Sequence, residues 1–584
     1  MKLKALLLAA ALAGPALAAT TPDQQLDALS ERAMQNWFAA SPSFATFIGA
    51  HRYDAQLDDL GAPARARALT ADRAVLKSLD AIDAAKLDRQ HQVDALILRN
   101  QLQQNLWTAE TLQDWAWDPQ LYSQLVGNAL YTLMARDYAP LPQRLRAATK
   151  RLELLPRVYA QMRANLDPAR VPKVHAETVA KQNSGVKELI ATFITPHVKE
   201  LKGAERARLQ AAIRSADKAV DEQQRWLDQT LVPNARGDFR LGAALYDQKL
   251  RFALMSSLSR EEIAARARAE LKRVRGEMYA IARQLIKHRD LPEQPVGPEM
   301  EQQAIEMALE LAYGDHSARE SLMADATAAL GQARQFVIDR HIVTVPETPV
   351  RIIPMPEFQQ GVAVAYCDSP GPLDKNQPTF YAISPIPKDW SDSQVESFLR
   401  EYNGRMVHLL SIHEGMPGHY LEGAHSAEHS PSKLRSVLRS GLFAEGWAVY
   451  MERVMREAGY MDSDPLFHLV QLKFYLRTIG NSLLDQGVHV EGWTREQAMD
   501  FMVKQTFQQE REAAGKWVRA QLSSAQLPTY FVGLQEQLDM RRAVEAAWGP
   551  QRFQTLQAYH DQVLSYGAPP TRFVRELMLD EPIR

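Results

Sequence analysis

Cysteine is nearly absent: Cys367 is the single thiol among 584 residues. A lone thiol excludes an internal disulfide, so stability has to come from a buried core. Cys367 itself reads as a small buried hydrophobe, because the sequence places no histidine base beside it. Net charge is nearly absent too. Lys and Arg number 68 and Asp and Glu number 70, a formal −2. That balance removes the general polyanion attraction on which nucleic-acid binders depend. Beyond the N-terminus no stretch has 18 uninterrupted apolar residues, so no transmembrane helix is predicted. Internal repeats and low-complexity linkers are missing as well. What remains, 46% hydrophobic and 24% charged residues, is an ordinary globular composition with length for more than one domain.

The N-terminus, MKLKALLLAAALAGPALA, has Lys2 and Lys4, a short apolar run, and Ala16-Leu17-Ala18. This is the pattern of a signal peptide over residues 1–18, and it predicts an exported chain, periplasmic or secreted, cleaved near Ala18. No cysteine lies near that site, which argues against a lipid anchor.

The rest is predicted to be mainly α. In SREEIAARARAELKRVRGEMYAIARQLI, Ser259 and Glu262 form a capping box, and Ile263, Ala267, Leu271, Val274 and Met278 recur at helical spacing. Its basic residues alternate with acidic ones and read as a solvated face. Similar patterns over Gln24–Trp37, His91–Trp107, Leu141–Ala164, His175–Thr195 and Glu205–Gln229 predict a helical N-terminal half, 19–236. Pro233–Gly237 is the best candidate boundary, and 237–584 the catalytic half. One region, about 343–387, breaks the rhythm. PVRIIP, GVAVAY and TFYAIS are β-branched and aromatic runs bounded by turn residues, which predicts a small antiparallel sheet. Helix resumes afterwards, and FAEGWAVYMERVMREAG predicts a helix ending at Gly459.

The segment SIHEGMPGHYLE carries the chemistry. In the familiar zinc helix, H-E-x-x-H, two histidines four apart share one face. Here His413 and Glu414 start correctly, but the second histidine, His419, is six positions on. On a regular helix that places the rings about 120° apart. Pro417 removes a backbone donor, and Gly415 and Gly418 admit unusual dihedrals, so a bulge or broken turn is the way both could reach one ion. Glu445, on the following helix and flanked by Phe443, Ala444, Trp447 and Ala448, is the candidate third ligand. Glu452, seven residues on, is placed to orient a ligand. Zinc with such ligands keeps a position open for water, on which Glu414 would act as general base. Rival sets are His419, Glu422 and His425, or pairs with His408, and none has a base beside its first histidine.

Several segments in order resemble the DUF885 family of bacterial proteins, which is related to zincin metallopeptidases. HEGMPGH is similar to its H-E-G-x-P-G-H. The segments around Glu445 and Glu452, around Asp485, Gly487, His489 and Trp493, around Tyr366 and Pro370, and around Tyr530 and Gly533 are similar to other stretches of it. Glu422, Ala520 and Ser524 depart from its pattern. The resemblance covers most of the chain. It implies a helical gluzincin-like fold with the small sheet beside the active-site helix. It also implies one zinc ion held by His413, His419 and Glu445, with Glu414 as base. Tyr530 and His489 would face the cleft as oxyanion donors, and Tyr366 and Arg477 would contact substrate, Arg477 by pairing with a carboxylate. A capped core tyrosine, a satisfied core histidine and a surface salt bridge are the competing readings of these residues.

The function these readings predict is an exported zinc-dependent hydrolase. It would cleave peptide (amide) bonds, in short peptides, by Glu-assisted attack of zinc-bound water. Two alternatives stay open. One is an amidase or esterase acting on a non-peptide metabolite. The other is a metal-free periplasmic binding protein or pseudoenzyme.

Overall fold

Ser259 Oγ accepts from the Glu262 backbone N–H at 3.2 Å, and the Glu262 carboxylate accepts from the Ser259 N–H at 2.8 Å. This reciprocal cap starts the helix Arg260–Leu285. The same device starts helices at Thr21, Ser391 and Thr494. The structure is a computed structural model that describes residues 20–287, 290–348, 350–356 and 364–584. The signal segment 1–18 and residues 361–363 of the GVAVAY run lie outside the described residues.

The chain is mainly helical. In the N-terminal half, α1 (Pro22–Ala40), α2 (Arg89–Trp107), α3 (Leu141–Asn165) and α4 (Gly203–Trp226) follow the apolar periodicity. The helix expected over His175–Thr195 is interrupted. It stops at Gln182 and resumes at Gly185, and the Asn183 side chain donates to Val220 O at 3.1 Å and to Gln224 Oε1 at 3.0 Å. Asparagine there serves a neighbouring helix rather than its own. The buried apolar residues fall into three main groups. One runs from Leu57 to Ala235, one gathers Leu26–Leu102 with Leu434 and Val437, and the largest spans Tyr246 to Met578.

The three expected strands form, but the sheet is mixed rather than antiparallel. Its strands are β1 (Val350–Pro354), β2 (Ala365–Asp368) and β3 (Thr379–Ile383), in the order β1-β3-β2. β3 pairs antiparallel with β2 and parallel with β1. The strand runs lack the two-residue turns that fix hairpin partners, so their pairing order was not encoded locally. The stretch from Pro354 to Thr379, which contains β2, supplies the long connection a parallel pair requires. All five residues of the central β3 are buried.

Six helices build the site beside this sheet. They are α5 (Gly404–Leu410), α6 (His419–His429), α7 (Gly441–Glu457), α8 (Pro465–His489), α9 (Glu510–Leu522) and α10 (Pro528–Arg552). α7 ends as its sequence predicts, with Gly459 in the left-handed region at φ +92°.

Candidate metal centre

The six-residue spacing is absorbed by the backbone. α5 widens into a π-helical turn over Ser411–Gly415, the chain breaks at Met416–Gly418, and α6 starts at His419. Long-reach bonds hold the break: Met416 N–H donates to Ser411 O at 3.0 Å and Gly418 N–H to Ile412 O at 2.9 Å. A Cβ at residue 418 would lie 2.0 Å from His413 O, so only glycine fits. The Trp447 indole N–H donates to Pro417 O at 2.9 Å and ties the break to α7. As a result the His413 and His419 rings lie 4.7 Å apart.

Glu445 completes the set. Its Oε2 is 3.6 Å from His413 Nε2 and 3.3 Å from His419 Nε2, is buried, and has no hydrogen-bond partner. Donors around a tetrahedral zinc with bonds of about 2.0–2.1 Å are themselves roughly 3.3–3.4 Å apart. The donor set and its spacing therefore fit a zinc ion. α7 is held in place by a backbone contact with α10, where Gly446 and Gly533 meet: a Cβ on Gly446 would be 2.5 Å from Gly533 C.

His413 Nδ1 lies 2.7 Å from Glu452 Oε1, and Glu452 is fully buried. A carboxylate can only accept, so Nδ1 carries a proton, and Nε2 is the ring nitrogen that faces Glu445. Glu414 is buried too, and its carboxylate accepts from the Cys367 backbone N–H of β2. Burial raises its pKa from the ordinary glutamate value. The rival sets are dispersed. His408 bonds Tyr460, His425 bonds Thr344 O, and Glu422 pairs with Arg439. Among the described residues one other cluster has the composition of a metal site, Asp23, Asp88 and His91, but Asp88 and Asp23 are used on backbone N–H groups.

A cavity of about 630 Å³ opens over these groups, lined by β2, α8, α9 and α10 among others. Tyr530 lines it, with its ring 6.5 Å from that of His413, and its hydroxyl accepts from Arg519 at 3.1 Å and Gln526 at 3.4 Å. Tyr366 lines it from β2, and Arg477 from α8. The Arg477 guanidinium already donates to Glu512 at 2.7 Å, and Glu512 also accepts from Tyr402 at 3.0 Å.

His489 does not face the cleft. Its Nε2 lies 2.8 Å from both Ala520 O and Ser523 O, and its ring stacks on Tyr246 at 6.0 Å. It sits on the same stripe of α8 as Phe474, Arg477, Thr478 and Asn481, but beyond the end of the cavity, where Asp485 accepts from Ala525 N–H. The resemblance that suggested a cleft role for His489 did not fix where the cavity ends. The sequence assigned no role to Lys516, Arg519, Arg439 or Glu512, which also line it. A signal existed for one of them: Lys516 stands at the helical spacing of Ala513 and Ala520, inside an otherwise apolar buried stripe.

The comparisons with known proteins bear on fold and family. The family described as "Bacterial protein of unknown function (DUF885)" matches residues 42–578. A solved structure from Shewanella oneidensis, described as "a putative lipoprotein of unknown function", is 31% identical. It covers 96% of this chain and all of its own, with a TM-score of 0.79. Another from Colwellia psychrerythraea, described as "the putative lipoprotein", is 19% identical, covers 97% of this chain and all of its own, and has a TM-score of 0.78. No curated protein matches. With a family match over nearly its whole length, the chain belongs to the DUF885 family of bacterial proteins.

Proposed function

We propose that this protein is an exported zinc-dependent hydrolase of peptide (amide) bonds, gluzincin-like in its site, that acts on short peptides. The observation that carries this reading is the unbonded, buried Glu445 Oε2 between two imidazole nitrogens. A buried carboxylate oxygen without a donor is costly, and a cation shared with both histidines removes that cost. Export is supported by the signal pattern of residues 1–18 and by the lipoprotein descriptions of the two solved relatives.

A zinc ion held by His413, His419 and Glu445 would polarise a scissile carbonyl and make a water acidic near neutral pH. Glu452 holds the His413 tautomer that leaves Nε2 free. Glu414 takes a proton from the attacking water and returns it to the leaving amine. Tyr530, oriented by Arg519 and Gln526, donates its hydroxyl hydrogen toward the developing oxyanion. β2 is an edge strand at the cavity, and an extended peptide can align beside it. The test is Glu414→Gln. Peptide hydrolysis should fall by roughly 10²–10⁴-fold, the range for general-base loss, while zinc content stays at the wild-type level. Unchanged hydrolysis would refute the assignment.

A further inference from the structure

Lys516 is 4% exposed, lines the cavity, and makes no hydrogen bond or ion pair among the described residues. Buried cations are ordinarily paired. The nearest carboxylate on its own helix, Glu512, is engaged by Arg477 at 2.7 Å. Arg519, one turn later on α9, lines the same cavity and donates to two neutral groups, Gln526 Oε1 at 3.0 Å and the Tyr530 hydroxyl at 3.1 Å. The remaining cation of the lining, Arg439, is paired with Glu422. Two cations, at i and i+3 on one helix, thus border the cleft without an ion-pair partner among the described residues; Glu445 and Glu512 act on them only from beyond pairing distance. Burial, together with the charges of Arg477 and Arg519, pushes the Lys516 pKa well below the ordinary lysine value. A bound anion would relieve that strain on the charged form. Apolar side chains, Ile386, Trp390, Phe398 and Phe474, supply other parts of the lining.

The position of this pair bears on what it binds. Arg519 touches Tyr530, whose ring is 6.5 Å from that of His413. An extended peptide advances about 3.3–3.6 Å per residue. We propose that the cleft recognises its substrate through a free carboxylate bound by Lys516 and Arg519, one or two residues beyond the scissile bond. The placement relative to a scissile bond rests on the hydrolase reading above; carboxylate binding itself does not. The carboxylate can be a peptide C-terminus or an acidic side chain.

The binding test compares 3-phenylpropionate with 3-phenylpropanamide by isothermal titration on the zinc-loaded protein. Wild type should prefer the carboxylate by about 30-fold or more. Lys516→Met should lose about tenfold of that preference, in the range for one charge-assisted hydrogen bond, and Lys516→Arg should keep it. Circular dichroism checks that both variants fold. Equal or absent binding of the two probes overturns the proposal. So does a preference that survives Lys516→Met, which would assign it to the metal. The second test measures hydrolysis of three tripeptide pools: free C-termini, amidated C-termini, and amidated with a terminal Glu. Faster turnover of the first assigns the C-terminal carboxylate, and of the third the side chain. In either case Lys516→Met should act through KM with kcat little changed. Equal turnover of all three overturns the placement. No turnover of any pool, with the binding preference intact, leaves carboxylate recognition standing and sinks the hydrolase reading instead.

Discussion

Gly446→Ala tests how the site is held. Gly446 lies in the interior of α7, one residue after Glu445, where intrinsic propensity favours alanine by about 1 kcal/mol. The packing predicts the opposite sign. The new Cβ would lie 2.5 Å from Gly533 C, 2.6 Å from Gly533 Cα and 2.8 Å from Gly533 O, whereas ordinary contact begins at 3.4 Å. These are backbone atoms of α10 and cannot swing aside, so the helices must separate by about 1 Å. Overpacking of this kind costs about 1–3 kcal/mol, and here the upper end applies, leaving a net loss of about 2 kcal/mol after the propensity gain. The displacement also moves Glu445 relative to His413 and His419, so zinc should bind more weakly. Gly276→Ala is the matched control. It sits in the Arg260–Leu285 helix with nothing within 4 Å of its added Cβ, and should gain about 1 kcal/mol. Denaturant unfolding of the metal-free proteins reads both signs, and zinc titration reads the site. A Gly446→Ala protein as stable as wild type, with unchanged zinc affinity, would refute the argument that this helix contact positions Glu445.

Glu452→Ala should weaken zinc binding by about 10–100-fold, the usual effect of removing a ligand's orienting carboxylate, and competition with a chelator measures it. His51 supplies a pH test. Its Nε2 lies 2.8 Å from Asp374 and its Nδ1 3.2 Å from Asp54, and its ring stacks on Tyr138 at 3.6 Å. Burial opposes its charged form, but Asp374 and Asp54 outweigh burial and raise its pKa from 6.5 to about 9. Because the folded value is the higher one, this stabilisation is complete below pH 6.5 and is lost as pH rises through about 9. The stability difference between wild type and His51→Gln should therefore be largest at pH 6 and narrow by pH 9.5. A gap that widens with pH contradicts it.

Much of the site was legible because its residues obey local rules. Glu445 and Glu452, seven apart, fall on one face of a helix whose period is plain in FAEGWAVYMER. The Gly and Pro content between His413 and His419 announced a broken helix, though not that a π turn and a fresh helix start would share the work. What could not be read was set by distant contacts. β1 and β3 run parallel because of a crossover that no short run encodes. Arg477 is engaged by Glu512 across two helices, and His489 lies on the right stripe but past the end of the cavity. Lys516 shares the spacing of the buried Ala513 and Ala520, but that it borders the cavity is set by how α9 packs.

The measurement that bears most directly on the central claim is the metal content of the purified protein by elemental mass spectrometry, beside His413→Ala and Glu445→Ala. The account predicts close to one zinc per chain in the wild type and loss of it in both variants. Wild-type protein without zinc after reconstitution and dialysis, or variants that keep it, would contradict the account.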